Sequence, residues 1–119
     1  MKENAVKDKS FAFAIRIVNL CRSLRTDKKE FVISKQILRS GTAIGALVRE
    51  AEQAESKPDF VHKLAIALKE ANETEYWILL LQETVYLNAD ESESVFKDNK
   101  ELLKLLTSII NSTKQSMAH

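Results

Sequence analysis

Histidines, which most transition-metal sites use, are few in this chain, and they are far apart. The two histidines, His62 and His119, lie in different parts of the sequence. Glu70, Glu73 and Glu75 are closely spaced, but a di-iron bundle takes a Glu-x-x-His pair from each of two helices, and neither pair occurs. The ligand count therefore predicts no metal site, and we expect no cofactor.

Nucleophilic catalysis has one candidate, Cys21, which is the only cysteine. No histidine neighbours it in the sequence, and its helical phase places it beside core positions, where thiols are usually unreactive. The two glycines, Gly41 and Gly45, lie inside a helical pattern and follow no predicted strand, so they do not form a phosphate-binding loop. We predict that the protein is not an enzyme.

Three polar residues fall on the apolar face of the longest predicted helix and are predicted to be buried: Asn72, Glu75 and Gln82. A carboxylate buried alone is too costly, so Glu75 needs a positively charged partner, protonation or nearby water. Helical phase favours the first two of four arginine partners: Arg22, Arg25, Arg39 and Arg49. A structural ion pair and a proton-handling carboxylate both stay open as the role of Glu75.

Basic residues cluster around the first predicted connector, where five lysines and arginines stand against two acidic residues. Phe31 is the one aromatic residue among them. Together with an arginine of the following helix, they form the set of candidate nucleic-acid contacts: Arg22, Arg25, Lys28, Lys29, Lys35 and Arg39. Phosphate contact is one interpretation of this cluster, and a solvated charged loop is the other.

Helices must position all of these residues. Only two glycines and one proline occur in 119 residues, which leaves little turn material for a sandwich or barrel of strands. Apolar periodicity predicts four helices, over about residues 10–25, 32–54, 58–87 and 91–113, with residues 1–9 frayed and the last six disordered. We therefore predict an all-α protein, a single antiparallel up-down four-helix bundle over residues 1–119.

The third predicted helix is the longest, and the other three can pack alongside it. Ser56 can cap it, with Asp59 in the first turn. Steps of 100° per residue place an apolar stripe on one face: Val61, Leu64, Ala65, Leu68, Ala71, Ile78, Leu79 and Tyr86. In the second helix, Gly41 and Gly45 indicate that another backbone approaches closely, since glycine inside a helix is otherwise unfavourable.

The first and the third helix both carry apolar residues on a second side. Trp77 points about 180° from Leu68 at 100° per residue. One side of the first helix consists of Phe11, Ala14, Ile15 and Val18, and the other begins at Phe13. One side can face the core and the other needs a partner, so we predict a subunit interface that comprises Phe13, Ile17, Leu20, Leu24, Ile66, Trp77, Leu80 and Leu81. Scattered surface hydrophobes are the alternative.

The net charge of +1 conceals an uneven distribution. Residues 1–49 contain 11 Lys and Arg against 4 Asp and Glu, a net +7, whereas residues 50–119 contain 7 against 13, a net −6. Opposite charges can pair the two halves within one bundle, or the basic half can face an anionic partner.

The cellular compartment is predicted from what the sequence lacks. A single cysteine allows no intrachain disulfide, the N-terminal residues lack the apolar run of a signal peptide, and no apolar stretch approaches the 18 or so residues that span a membrane. We expect a cytoplasmic protein with no membrane partner.

Two segments carry a family resemblance: Gln36 to Ser56, QILRSGTAIGALVREAEQAES, and Asp59 to Leu81, DFVHKLAIALKEANETEYWILLL. They resemble the four-helix-bundle family of 23S ribosomal RNA intervening-sequence proteins, which includes the accessory variability determinant of diversity-generating retroelements. Arg39 and Glu50 match positions of the family pattern. The resemblance implies an antiparallel up-down bundle that assembles as a ring-like homopentamer.

The resemblance implies less about function. Most members have no assigned activity, and the retroelement member is strongly basic and binds its reverse transcriptase and nucleic acid, whereas this chain is nearly neutral. We therefore predict a non-enzymatic oligomeric scaffold that binds protein or nucleic-acid partners. The alternative is a nucleic-acid-binding accessory protein linked to ribosomal RNA intervening sequences or to a retroelement reverse transcriptase.

Overall fold

The computed structural model describes residues 2–118, which form four helices. They are α1 (Lys2–Asp27), α2 (Ile33–Glu52), α3 (Lys57–Glu83) and α4 (Ala89–Ala118). No strand occurs among these residues, and the protein measures 52 × 22 × 20 Å along its principal axes. The predicted all-α fold class is confirmed.

Neighbouring helices run antiparallel. Lys7 near the start of α1 pairs with Glu52 at the end of α2 (3.3 Å), and Cys21 near the end of α1 donates to the carbonyl of Ser34 at the start of α2 (3.3 Å). Side-chain contacts between α2 and α3, between α3 and α4, and between α4 and α1 likewise join later residues of one helix to earlier residues of its neighbour. Each helix packs against two neighbours, as in an up-down bundle, and the contact between α1 and α4 is the least extensive.

The core follows the heptad spacing of coiled coils. Buried positions recur in alternating steps of three and four residues: Ser34, Ile37, Gly41, Ile44, Val48 and Ala51 in α2, Leu64, Ala67, Ala71, Thr74, Ile78 and Leu81 in α3, and Ser92, Val95, Asn99, Leu102, Leu106 and Ile109 in α4. A mean step of 3.5 residues drifts by about 20° per heptad from the positions of a straight helix. The stripe predicted for α3 at 100° per residue therefore includes the exposed Leu79 and omits the buried Ala67 and Leu81.

Helix α1 begins earlier, and helix α4 ends later, than the sequence predicts. Residues 2–9 belong to α1 and residues 114–118 to α4, so the predictions of fraying and disorder are wrong for them, while Met1 and His119 lie outside the described residues. The start of α1 is held by packing, because Val6 and Ser10 are both buried. The residues around Val6 are mostly polar, so the sequence gives no indication that this part of α1 packs against the core.

The third helix ends at Glu83, before the predicted end at Leu87. Val85 takes a left-handed backbone conformation with φ of 65°, and the amides of Tyr86 and Leu87 then donate to the carbonyl of Leu81 at 2.9 and 3.3 Å. This geometry closes the helix and usually involves glycine or asparagine. A valine at that position gives no such signal.

Two glycines bring α1 and α2 close together, as their positions predict. A Cβ added at Gly41 would lie 2.9 Å from Cγ1 of Ile17, and one added at Gly45 would lie 3.2 Å from the backbone carbonyl oxygen of Ser10. These contacts fix the rotation of α1, because they turn Ser10 and Ile17 towards α2. The side that begins at Phe11 consequently faces outwards.

Half of the predicted subunit interface lies inside a single chain: Phe13, Ile17, Leu24 and Leu81. These residues are at most 3% exposed and leave no surface for another copy, so their assignment to an interface is wrong. The glycine contacts explain the error in α1, and the heptad drift explains it in α3. The remaining four are half-buried: Leu20, Ile66, Trp77 and Leu80.

The predicted buried polar residues lie at the flanks of the core. Asn72 and Gln82 are exposed, and Glu75 keeps part of its side chain in solvent, so the burial predicted for the first two is wrong. Glu75 pairs with Lys100 of α4 at 2.8 Å, and not with one of the arginines. The polar side chains that are buried in α2, α3 and α4 are Ser34, Ser40, Thr74, Ser92 and Asn99.

Helix hydrophobicity gives no indication of a membrane span. Across residues 2–118, every helix is either too short or too polar along its length to cross a bilayer.

Candidate functional site

The connector between α1 and α2 is a tight, hydrogen-bonded turn. The amides of Lys28 and Glu30 both donate to the carbonyl of Leu24, at 3.2 and 3.0 Å. Between them Lys29 has φ of 55°, the left-handed conformation that commonly ends helices. The turn therefore holds the end of α1 in one defined shape.

Glu30 points into the protein and caps α2. Its carboxylate accepts hydrogen bonds from the amides of Val32 (3.2 Å), Ile33 (3.0 Å) and Ser34 (2.7 Å), and its backbone carbonyl accepts one from the Ser34 hydroxyl (2.8 Å). Burial acts to raise the pKa of Glu30, but the amide hydrogen bonds outweigh it and hold the pKa below its usual value. The negative charge of Glu30 is thus directed at the amides of α2 rather than at the neighbouring basic side chains.

A groove of about 550 Å³ opens beside this turn. We call it the basic groove, and its lining comprises Val18, Cys21, Arg22, Arg25, Thr26, Lys29, Phe31 and Leu38. Apolar side chains of both helices form much of its surface, and Phe31 is 56% exposed beside them. A volume of this size is within the range of small-molecule sites.

The positive charges of the basic groove are not paired with carboxylates of the described residues. Among residues 5–118, none of Arg22, Arg25 and Lys29 lies within ion-pairing distance of a carboxylate. The nearest acidic residues in sequence are engaged elsewhere, Glu30 with the amides of α2 and Asp27 with the hydroxyls of Ser23 and Thr26.

The structure divides the six predicted nucleic-acid contacts. Arg22, Arg25 and Lys29 line the basic groove, whereas Lys28 and Lys35 are exposed beside it without lining it. Arg39 lies apart from them.

Arg39 is bound to carboxylates of α3. Its guanidinium pairs with Glu70 (3.1 Å) and with Glu73, which also accepts a hydrogen bond from the indole of Trp77 (2.9 Å). The Trp77 hydrogen bond, followed by that of Arg39, lowers the pKa of Glu73. Arg39 therefore joins two helices through exposed ion pairs, apart from the basic groove.

Cys21 is unsuited to nucleophilic chemistry. It is buried, its thiol donates to the carbonyl of Ser34, and burial raises its pKa to about 11. A thiol with this pKa is almost entirely protonated at neutral pH. Among residues 2–118 no group of three or more His, Cys, Asp and Glu side chains is arranged to hold a metal ion.

An apolar surface on α1 faces outwards, on the side that the sequence-based prediction left to the core. Phe11, Ile15 and Val18 are 54%, 49% and 39% exposed and follow one another at steps of four and three residues. We call them the outer stripe. Arg49 of α2 lies over the Phe11 ring, 5.3 Å from its centroid. The helical spacing of these residues was visible in the sequence, but the side of α1 that faces the core was not.

Comparison with known proteins places this geometry among related bundles. Residues 2–108 match the family model described as 23S rRNA-intervening sequence protein. The fold is similar to the 1.70 Å crystal structure of a protein with unknown function from the S23 ribosomal protein family of Bacteroides thetaiotaomicron VPI-5482. The two chains share 62% sequence identity and a TM-score of 0.93, over 93% of this chain and 99% of that one. No curated protein sequence matches this chain significantly.

Proposed function

The chain belongs to the 23S rRNA-intervening sequence protein family, and from this we propose that it is a non-enzymatic scaffold that assembles with copies of itself. The observation that carries the proposal is the outer stripe, where three large apolar side chains in a row are left to solvent on a helix whose opposite side fills the core. Contiguous exposed apolar surface of this kind marks interaction sites.

A second exposed apolar patch supports a ring. On α3, Tyr76 is 58% and Leu79 is 43% exposed. Helices α1 and α3 do not pack against each other, so the outer stripe and this patch lie on diagonally opposite helices of the bundle. Two different patches on opposite sides give a head-to-tail contact, which closes into a ring when the rotation permits. The ring-like homopentamer implied by the family resemblance is therefore our proposed assembly.

The test is the mass of the protein in solution, measured by light scattering after size exclusion at micromolar concentration. We expect the wild type to form a closed oligomer, and Ile15→Lys or Leu79→Lys to reduce its mass. Val85→Lys is the matched control, because Val85 is 79% exposed and lies in neither patch. A monomeric wild type would contradict the proposal.

A mixing experiment tests whether the contact is head to tail. The Ile15→Lys variant keeps its α3 patch and the Leu79→Lys variant keeps its outer stripe, so an equimolar mixture should form a heterodimer that cannot close. Neither variant alone should dimerise. A mixture that remains monomeric would exclude direct contact between the two patches.

The basic groove favours a second candidate function, nucleic-acid binding. Three cations without carboxylate partners surround it, and sequence-independent contacts to phosphate need such unpaired charge. The partner can be ribosomal RNA or the nucleic acid of a retroelement, with a reverse transcriptase as the alternative protein partner. A mobility shift of structured RNA that weakens with salt is the expected result, and no shift at low salt would remove this candidate.

A further inference from the structure

The basic groove combines positive charge with an exposed aromatic ring. The guanidinium groups of Arg22 and Arg25 and the ammonium group of Lys29 supply positive charge, and the ring of Phe31 lines the same groove and is more than half exposed. Elsewhere on the protein, basic side chains such as Arg16 and Arg39 pair with carboxylates across helices. The charge at the groove is therefore free to meet an external anion.

The site is held in shape before any ligand arrives. The carbonyl of Leu24 ties the turn from one side, and the carboxylate of Glu30 ties it from the other through three amides of α2. Phe31 follows Glu30 directly, so its backbone position is fixed by these bonds. A ring on a fixed backbone has only its two side-chain torsions left to restrict when a planar group stacks on it.

These features select a ligand class. Guanidinium groups bind phosphate through paired N–H donors, and an exposed aromatic ring stacks on bases without selecting their sequence. A fatty acid has one carboxylate and would pair with one cation, so it would leave the other two cations of the groove unused. A duplex keeps its bases stacked inside, so it cannot offer one to Phe31. The chemistry that uses all of the groove is a nucleotide with its base exposed.

We propose that the basic groove binds single-stranded nucleic acid, with one base stacked on Phe31 and the adjoining phosphates held by Arg22, Arg25 and Lys29. This inference rests on the second candidate function above and specifies the form of nucleic acid that the groove accepts. Stacking and phosphate contacts do not read base edges, so the contacts proposed here carry no sequence preference.

The test uses fluorescence anisotropy with the full chain and fluorescein-labelled 12-nucleotide strands of rU and dT. Phe31→Leu keeps an apolar side chain but removes the stacking surface, and should weaken binding about 5- to 150-fold, because stacking contributes about 1–3 kcal/mol per base. The salt dependence of the affinity should be the same for Phe31→Leu as for the wild type. Arg25→Gln should weaken binding and reduce the slope of log affinity against log salt by about 0.7.

Matched controls separate this site from general attraction. Lys69→Gln removes one exposed charge from α3, a helix that contributes no residue to the groove lining, and should leave the affinity within twofold. A 12-base-pair duplex should bind at least tenfold more weakly than the strands. Free AMP and tripolyphosphate, as competitors, distinguish a mononucleotide or bare phosphate site from one that needs a strand.

The outcomes distinguish failure of this inference from failure of nucleic-acid binding as a whole. Equal losses in the Phe31→Leu, Arg25→Gln and Lys69→Gln variants, or tighter binding of the duplex, would overturn the single-strand site while leaving nucleic-acid binding in place. Absence of binding to every probe at low salt would remove both. Circular dichroism of each variant checks that the helices are intact.

Discussion

A single carboxylate shapes the turn beside the basic groove. Glu30 lies in a run of basic residues, and its sequence position suggests a partner for one of them. It instead accepts three amide hydrogen bonds at the start of α2 and is 7% exposed. This inward orientation both caps the helix and leaves the neighbouring cations unpaired.

We expect Glu30→Gln to lower the free energy of unfolding at pH 7 by about 1 kcal/mol, the usual contribution of a capping side chain. Because the folded pKa is below the ordinary value of 4.5, the contribution of Glu30 is complete above that value and is lost as pH falls through the lower folded pKa. Urea titrations between pH 3 and 7 should therefore show the variant and the wild type converging at acidic pH. A constant difference at all pH values would contradict the assignment.

Cys21 provides a second residue-level prediction. Burial and a raised pKa should make the folded protein react with a thiol-specific disulfide reagent at pH 8 roughly a hundredfold more slowly than the same protein in denaturant. Absorbance of the released thiolate measures both rates. Rapid labelling of the native protein would show that the region around Ser34 opens readily.

At the scale of helices, the sequence predicts the number and order of the elements better than their rotation. Four helices and three short connectors follow from periodicity and caps, and Ser56 caps α3 through the Asp59 amide as predicted. The rotation of α1 does not follow, because both of its sides are apolar. Only the approach of Gly41 to Ile17, between residues distant in sequence, decides which side is buried.

The candidate site was predictable only where its residues are neighbours in sequence. Arg22, Arg25 and Lys29 are close together in sequence, at the end of α1 and in the connector that follows it, so their grouping required no knowledge of packing. The partner of Glu75 did require it, since Lys100 comes from α4, whereas α1, which carries Arg22 and Arg25, does not pack against α3. Local spacing is visible in a sequence, whereas pairing across helices depends on their rotation.

We expect Gly45→Ala to destabilise the bundle even though alanine favours helices over glycine by about 1 kcal/mol. The added methyl group would lie 3.2 Å from the carbonyl oxygen of Ser10, which belongs to the backbone of α1 and cannot move alone. Overpacking of this kind costs about 1–3 kcal/mol, so the net loss should be up to about 2 kcal/mol. Urea denaturation measures it, and a gain in stability would mean that α1 can shift outwards.

At the scale of the whole molecule, ion pairs join the two hairpins of the bundle. Lys9 and Arg16 of α1 meet Glu101 and Asp98 of α4, and other pairs link α2 to α3. The contact between α1 and α4 is the least extensive of the four helix contacts, so charge attraction supplements limited packing there. Exposed pairs of this kind contribute little individually and weaken in salt.

We therefore expect the free energy of unfolding to fall by about 1 kcal/mol when NaCl is raised from 0.05 to 0.5 M, because salt screens these exposed pairs. The double variant Arg16→Gln, Asp98→Asn should be less sensitive to salt than the wild type. Urea titrations at the two salt concentrations provide the measurement. Stability that rises with salt in both proteins would indicate that apolar burial outweighs these pairs.

The division of charge along the chain becomes a division across space, since residues 1–49 cover α1 and most of α2 and carry +7, while residues 50–119 carry −6. The molecule is thus a rod with a positive flank and a negative flank and almost no net charge. Near a charged surface it can rotate to present whichever flank is attracted. At neutral pH and low salt, the same preparation should be retained by both cation-exchange and anion-exchange resins.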